Sequence, residues 1–150
     1  MESWHPILVH FPLVLLPVST LFDAIGFLGG QARWHRMAYA FLLATLGGAL
    51  GAVLSGNSAA APYWSVEEVR PLIELHEDMA TATLVAVLAC VFGRLPLHLQ
   101  QRWRGWPLKF WFGVGLVAVV LLWVTGHWGG ELVYGHGVGV RSLVPLPAGQ

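Results

Sequence analysis

Residues 108–125 read LKFWFGVGLVAVVLLWVT, an apolar run whose one charged residue, Lys109, stands at its edge. At ~1.5 Å per residue such a helix is ~27 Å long, close to the ~30 Å hydrocarbon core of a bilayer. Three more runs of this kind precede it, Ile7 to Leu28, Met37 to Ser55 and Met79 to Phe92, the third extended by polar residues at its start. The composition agrees: 56% of the 150 residues are hydrophobic, only 11% are charged, and the mean hydropathy is +0.64, values outside the range of a soluble domain. The sequence therefore predicts an all-α integral membrane protein, a four-helix bundle with spans at 7–28, 37–56, 73–93 and 108–128 and a glycine-rich tail over 129–150.

The leader Met1-Glu2-Ser3-Trp4-His5 has no Lys or Arg and no small-residue cleavage site follows, so the first run is read as a retained span and not as a secretory signal. Cys90, the single cysteine, excludes a disulfide framework, a CxxC zinc knuckle and CxxCH haem attachment. Zero net charge gives no pull toward nucleic acid.

Six of the eight Lys and Arg, namely Arg33, Arg36, Arg94, Arg102, Arg104 and Lys109, fall between spans one and two or between spans three and four. The positive-inside tendency makes that face cytoplasmic and puts both termini outside, on the periplasmic side in a bacterium. Trp4, Tyr63, Trp64, Trp128 and Tyr134 then form an outer aromatic belt, and Trp34, Trp103 and Trp106 an inner one.

This topology places His5, His10, His76, His127 and His136 at the outer boundary and leaves His35 and His98 within inner basic loops, read there as solvated or lipid-facing. Pro6 and Pro71 suit helix first turns, so His10 and His76 lie at a similar depth, ~6–8 Å in. Three helices can present an imidazole to one layer. On span three, His76, Ala80, Thr83 and Val87 share a helix face, and their small side chains either leave room for a flat ligand or allow close helix packing. Span two carries a GxxxG spacing from Gly47 to Gly51, read as packing. Pro12 and Pro17 predict a bend in span one near His10. Ser65-Val66-Glu67-Glu68 matches a capping box before a short interfacial helix. Asp23, the carboxylate within a span, is expected to pair with Arg33 or Arg36. The run from Thr125 to Val140, with no phosphate-loop pattern, is read as a lid over the outer site.

The chain's two ends, HPILVHFP over residues 5–12 and GGELVYGHGVGV over residues 129–140, resemble the bacterial membrane family known as domain of unknown function 2231, and the resemblance extends over essentially the whole chain. It implies a four-helix domain of the bacterial inner membrane that works as a subunit or fused module of a redox system, with haem as the expected cofactor. The family's histidines fall on His5, His10 and His136, with His76 and His127 as additional positions.

Three functions follow as expectations. The first is a membrane cytochrome with one or two haem b groups, His10 and His76 being the preferred axial pair. His127, His136 and His5 would then hold a second haem or meet propionates beside Arg70 or Arg141, and Met79 is an axial alternative. Its partners would be other membrane redox subunits, a quinol and a periplasmic cytochrome c. The second is a copper, zinc or non-haem iron site built from His76, Glu77, Asp78, His127, Glu131 and His136, without the HExxH of a metalloprotease. The third is a structural anchor in a larger complex, with proton relay also open. No Ser, His and Asp arrangement supports a hydrolase.

Overall fold

The computed structural model describes residues 4–140, and among these every regular element is helical. In chain order they are α1 (His5–Leu8), α2 (His10–Gly29), α3 (Ala32–Ala60), α4 (Arg70–Leu99) and α5 (Trp106–Tyr134), with a 3-10 turn at Ala61–Tyr63. α1 and α2 form one span, and α3 continued by the 3-10 turn, α4 and α5 form the other three. Each is long and apolar enough to cross a bilayer.

The break between α1 and α2 has a local cause. Proline has no N–H, so Pro12 cannot donate to the carbonyl of Leu8, and Leu13 reaches Val9 O only at 3.3 Å. The bend predicted for this span is thus a one-residue interruption at Val9, whose backbone stays helical at φ −64° and ψ −24°. At the other end of α2, Gly30 turns the chain with φ +63°, a conformation that glycine adopts at no steric cost.

The spans pack in ring order: α2 on α3, α3 on α4, α4 on α5, and α5 back on α2. The first and third spans therefore stand diagonally across the bundle, as do the second and fourth. Val14, Leu21, Val85, Phe92, Val117, Val120 and Trp123 are each more than half exposed on its outside, the arrangement lipid favours. Inside, one apolar cluster joins Leu16, Leu42, Val87, Cys90, Ala118 and Leu122. A second, of Val69, Ile73 and Leu132, closes the end that holds the termini.

The observed helices outrun the predicted spans, because the polar residues that flank each apolar run continue the same backbone hydrogen bonding. In the fourth, Gly129-Gly130-Glu131-Leu132-Val133-Tyr134 is helix and not tail. The lid is shorter than expected: residues 135–140 fold back, Val138 packing on the second cluster and Gly139 N–H donating to Tyr63 Oη at 2.9 Å. The capping box does not form. Ser65 to Val69 make turns, and α4 begins at Arg70 with Pro71 in its first turn and no side-chain cap. Of the glycines around the GxxxG spacing, Gly48 packs against Phe11 and Pro12 and Gly51 against Leu8, while Gly47 has nothing within 4 Å.

Asp23 corrects the expected pairing. Its carboxylate accepts from Arg94 Nη1 at 2.6 Å and Nη2 at 2.8 Å, and from His35 Nδ1 at 2.8 Å. All three side chains are buried, whereas Arg33 and Arg36 are exposed, Arg33 lying over the Trp34 ring. His35 is accordingly a core residue and not a solvated one. His98, also assigned to a loop, lies in α4 with its ring stacked on Tyr39 at 4.7 Å and Trp103 edge-on at 5.5 Å.

Candidate functional site at the His5 end

Between the two apolar clusters lies a polar layer made by four helices. From the first span it takes His5, on the face that continues inward through Pro12, Leu16, Ser19 and Asp23, all buried. From α3 come Ala52, Ser55 and Gly56; from α4, His76 and Thr83; from α5, Thr125 and Gly129.

His5 and His76 are held in the same way. His5 Nδ1 lies 3.0 Å from the carbonyl of Ala52, and His76 Nδ1 lies 3.0 Å from the carbonyl of Thr125. Each carbonyl belongs to the next span in the chain. A glycine stands one turn further along that helix, Gly56 for His5 and Gly129 for His76, and a Cβ added at either would sit 3.0 Å from the imidazole Cε1. Glycine is what lets each ring lie against the neighbouring backbone. The two helical hairpins thus repeat one device: a histidine on the first helix, its carbonyl partner on the second, and a glycine four residues on.

This geometry fixes the tautomer. A carbonyl oxygen only accepts, so Nδ1 carries a proton in both rings, and in a neutral imidazole that leaves Nε2 with its lone pair. Ligating histidines commonly show this pattern, one ring nitrogen donating to a backbone carbonyl and the other left for the metal. Beneath the two rings, Thr83 and Thr125 meet at 3.2 Å between hydroxyls, and Ser55 Oγ is 3.2 Å from His5 Nδ1.

The other histidines of the sequence reading stand outside this layer. His10 is exposed and bonds back to the carbonyl of Pro6 in its own turn. Five residues of helix turn the chain ~140° from His5, which directs His10 to the outer surface of the bundle. The expected pair of His10 and His76 is therefore not brought together; the inward partner is His5. His127 is exposed with its ring against Trp128, and His136 is exposed beyond α5 with Nδ1 3.3 Å from Glu131 O. Arg70 is engaged by Glu74, Nε to Oε1 at 2.9 Å, and lies over Trp64. Arg141 lies outside the described residues. Met79 contributes its carbonyl, which accepts from Thr83 Oγ1 at 2.8 Å. Among the described residues no three His, Cys, Asp or Glu side chains converge as a metal-binding group would require.

What the arrangement offers is two imidazoles from diagonally opposed helices, each anchored through Nδ1 to a backbone carbonyl. Bundles commonly build cofactor sites in this way, from side chains on facing helices. The chain matches the family described as "Predicted membrane protein (DUF2231)" over residues 2–142. No curated protein and no solved structure gives a match.

Proposed function

The chain belongs to the DUF2231 family of predicted membrane proteins, a family defined by membrane character and not by an activity, and from the site itself we propose that it is a b-type cytochrome subunit whose haem is held axially by His5 and His76. The observation that carries this reading is the shared anchoring of the two rings, Nδ1 to Ala52 O and Nδ1 to Thr125 O, each at 3.0 Å. His5 and His76 would hold the group from different helices, and the two stand on diagonal spans. The small residues of the layer, Gly56 and Gly129 above all, are what let the two rings lie against the neighbouring backbone.

Bound there, haem supplies a one-electron couple, and two histidine ligands leave no open position for substrate. The chain's own residues do the rest. Ala52 and Thr125 orient the rings and make their Nε2 atoms better donors. Val69, Ile73 and Leu132 pack together at this end of the bundle, and apolar cover of this kind would tune the potential. The absence of a three-ligand convergence among the described residues favours this over the copper, zinc or non-haem iron reading.

By the charge asymmetry of the loops, the haem lies toward the periplasmic face of a bacterial inner membrane. Its partners are then a membrane redox subunit or quinol on one side and a periplasmic cytochrome c on the other. The test is a reduced-minus-oxidised spectrum with a pyridine haemochrome assay on detergent-purified protein. One b-type haem per chain is expected, and colourless protein after expression with ample haem overturns the proposal.

A further inference from the structure

The opposite end of the bundle carries a feature that the haem reading does not use. Between α4 and α5 the chain turns at Gln100 and Gln101 and passes through Arg102, Trp103 and Arg104 without regular secondary structure. Gln101 has a positive φ of 53° and its side-chain amide donates to His98 O at 2.8 Å, which fastens the turn. Trp103 turns inward, only 6% exposed, beside Tyr39 and His98. Arg102 and Arg104 on either side of it are both exposed.

They line a pocket of about 560 Å³ with Gln100, Gln101, Leu97 and Pro107. Neither arginine has an acidic partner among the described residues, since the ion pairs there engage Arg70, Arg94 and His35. At this end Asp23 is the sole carboxylate of the described chain, and it is buried under Arg94 and His35. The pocket is thus cationic, with carboxamide donors. Its surroundings are apolar: Leu99 is 72% and Trp106 73% exposed, and Phe110 stacks on Trp106 at 5.4 Å. A tryptophan so placed marks the level of lipid headgroups.

We propose that this pocket binds one anionic phospholipid, its phosphate between Arg102 and Arg104 and its acyl chains along Leu99, Trp106 and Phe110. Arginine's planar fork suits phosphate oxygens, and basic pockets between membrane helices recognise such headgroups. The exposed apolar flank favours a lipid over free phosphate, because a soluble anion gains nothing from Leu99 and Trp106. The site is independent of the haem.

The test is native mass spectrometry of full-length protein, delipidated in detergent and offered equimolar phosphatidylglycerol and phosphatidylcholine. We expect one phosphatidylglycerol retained preferentially, with retention falling about tenfold in an Arg102→Gln/Arg104→Gln variant. An Arg33→Gln/Arg36→Gln variant, which removes the same charge from the other loop at this end, should keep the lipid. Equal retention of both lipids, or equal loss in both variants, would overturn the proposal in favour of diffuse charge attraction. Displacement of the lipid by millimolar inorganic phosphate would also overturn it, by showing a simple anion site. Circular dichroism melts of both variants establish that they are folded.

Discussion

Arg94 reaches across the diagonal of the bundle to Asp23 and grips its carboxylate with both terminal nitrogens, at 2.6 and 2.8 Å. His35 donates to the same carboxylate, so an acid on the first span is held by bases from the second and third. With all three buried, loss of one member leaves a charge without its counter-ion. Asp23→Leu alone should destabilise the bundle by about 3–5 kcal/mol, and Asp23→Leu/Arg94→Met should recover most of that loss. Unfolding of the detergent-solubilised protein by a denaturing detergent checks this. A double variant no better than the single would show that the pair does more than neutralise itself.

Gly26 makes room for that arrangement. A Cβ there would lie 2.6 Å from His35 Cε1, too close for the ring to stay in place. Gly26→Ala should therefore cost about 1–3 kcal/mol, the usual penalty for overpacking a filled site. Gly47→Ala and Gly130→Ala, where nothing lies within 4 Å of the added carbon, should be neutral or slightly stabilising. Parallel melts of the three variants decide it, and equal effects would show that backbone flexibility, not ring clearance, is what glycine supplies.

The division between what the sequence disclosed and what it withheld follows from the range of the forces involved. Length and apolar content set the four spans, because a bilayer demands ~20 apolar residues locally. The face of α4 below His76 was also legible, Thr83 and Val87 being buried as its 3.6-residue period predicts. Asp23's partner was not, since Arg33 and Arg36 are near in sequence but lie past the turn at Gly30, whereas Arg94 meets Asp23 only once the ring of helices closes. The buried face of the first span, with Pro12, Leu16, Ser19, Asp23 and Gly26, was available as a signal: extended back, it selects His5 and rejects His10. Proline spacing gave depth along the helix but said nothing of direction around it.

Thr83 and Thr125 illustrate how little a membrane hydrogen bond can contribute. Their hydroxyls are 3.2 Å apart, yet each also reaches the carbonyl four residues back, Met79 O and Leu121 O, both at 2.8 Å. A hydroxyl has one proton, so the contact between the threonines competes with those local bonds. Thr83→Val should cost about 0.6 kcal/mol and leave the haem spectrum unchanged. A loss several times larger in the same denaturation assay would show that the contact is the one that holds the two helices.

The axial assignment is the sharpest test of the site. His5→Ala and His76→Ala should each abolish haem retention, because the remaining imidazole has no partner across the bundle. His10→Ala, His127→Ala and His136→Ala remove exposed rings and should leave the b-type spectrum intact. Alanine at His5 or His76 also removes a hydrogen bond between helices, so loss of haem alone does not separate ligation from folding. His76→Met does, since a thioether ligand in place of an imidazole raises the midpoint potential, a shift that a purely structural role for His76 would not produce. Unchanged potential and spectrum in that variant, or haem retained in both alanine variants, would move the axial pair elsewhere. Gly129→Ala provides a graded version: a Cβ 3.0 Å from His76 Cε1 must push the ring while leaving it in the layer. Its effect should fall on the potential and on haem affinity before it falls on the stability of the helices.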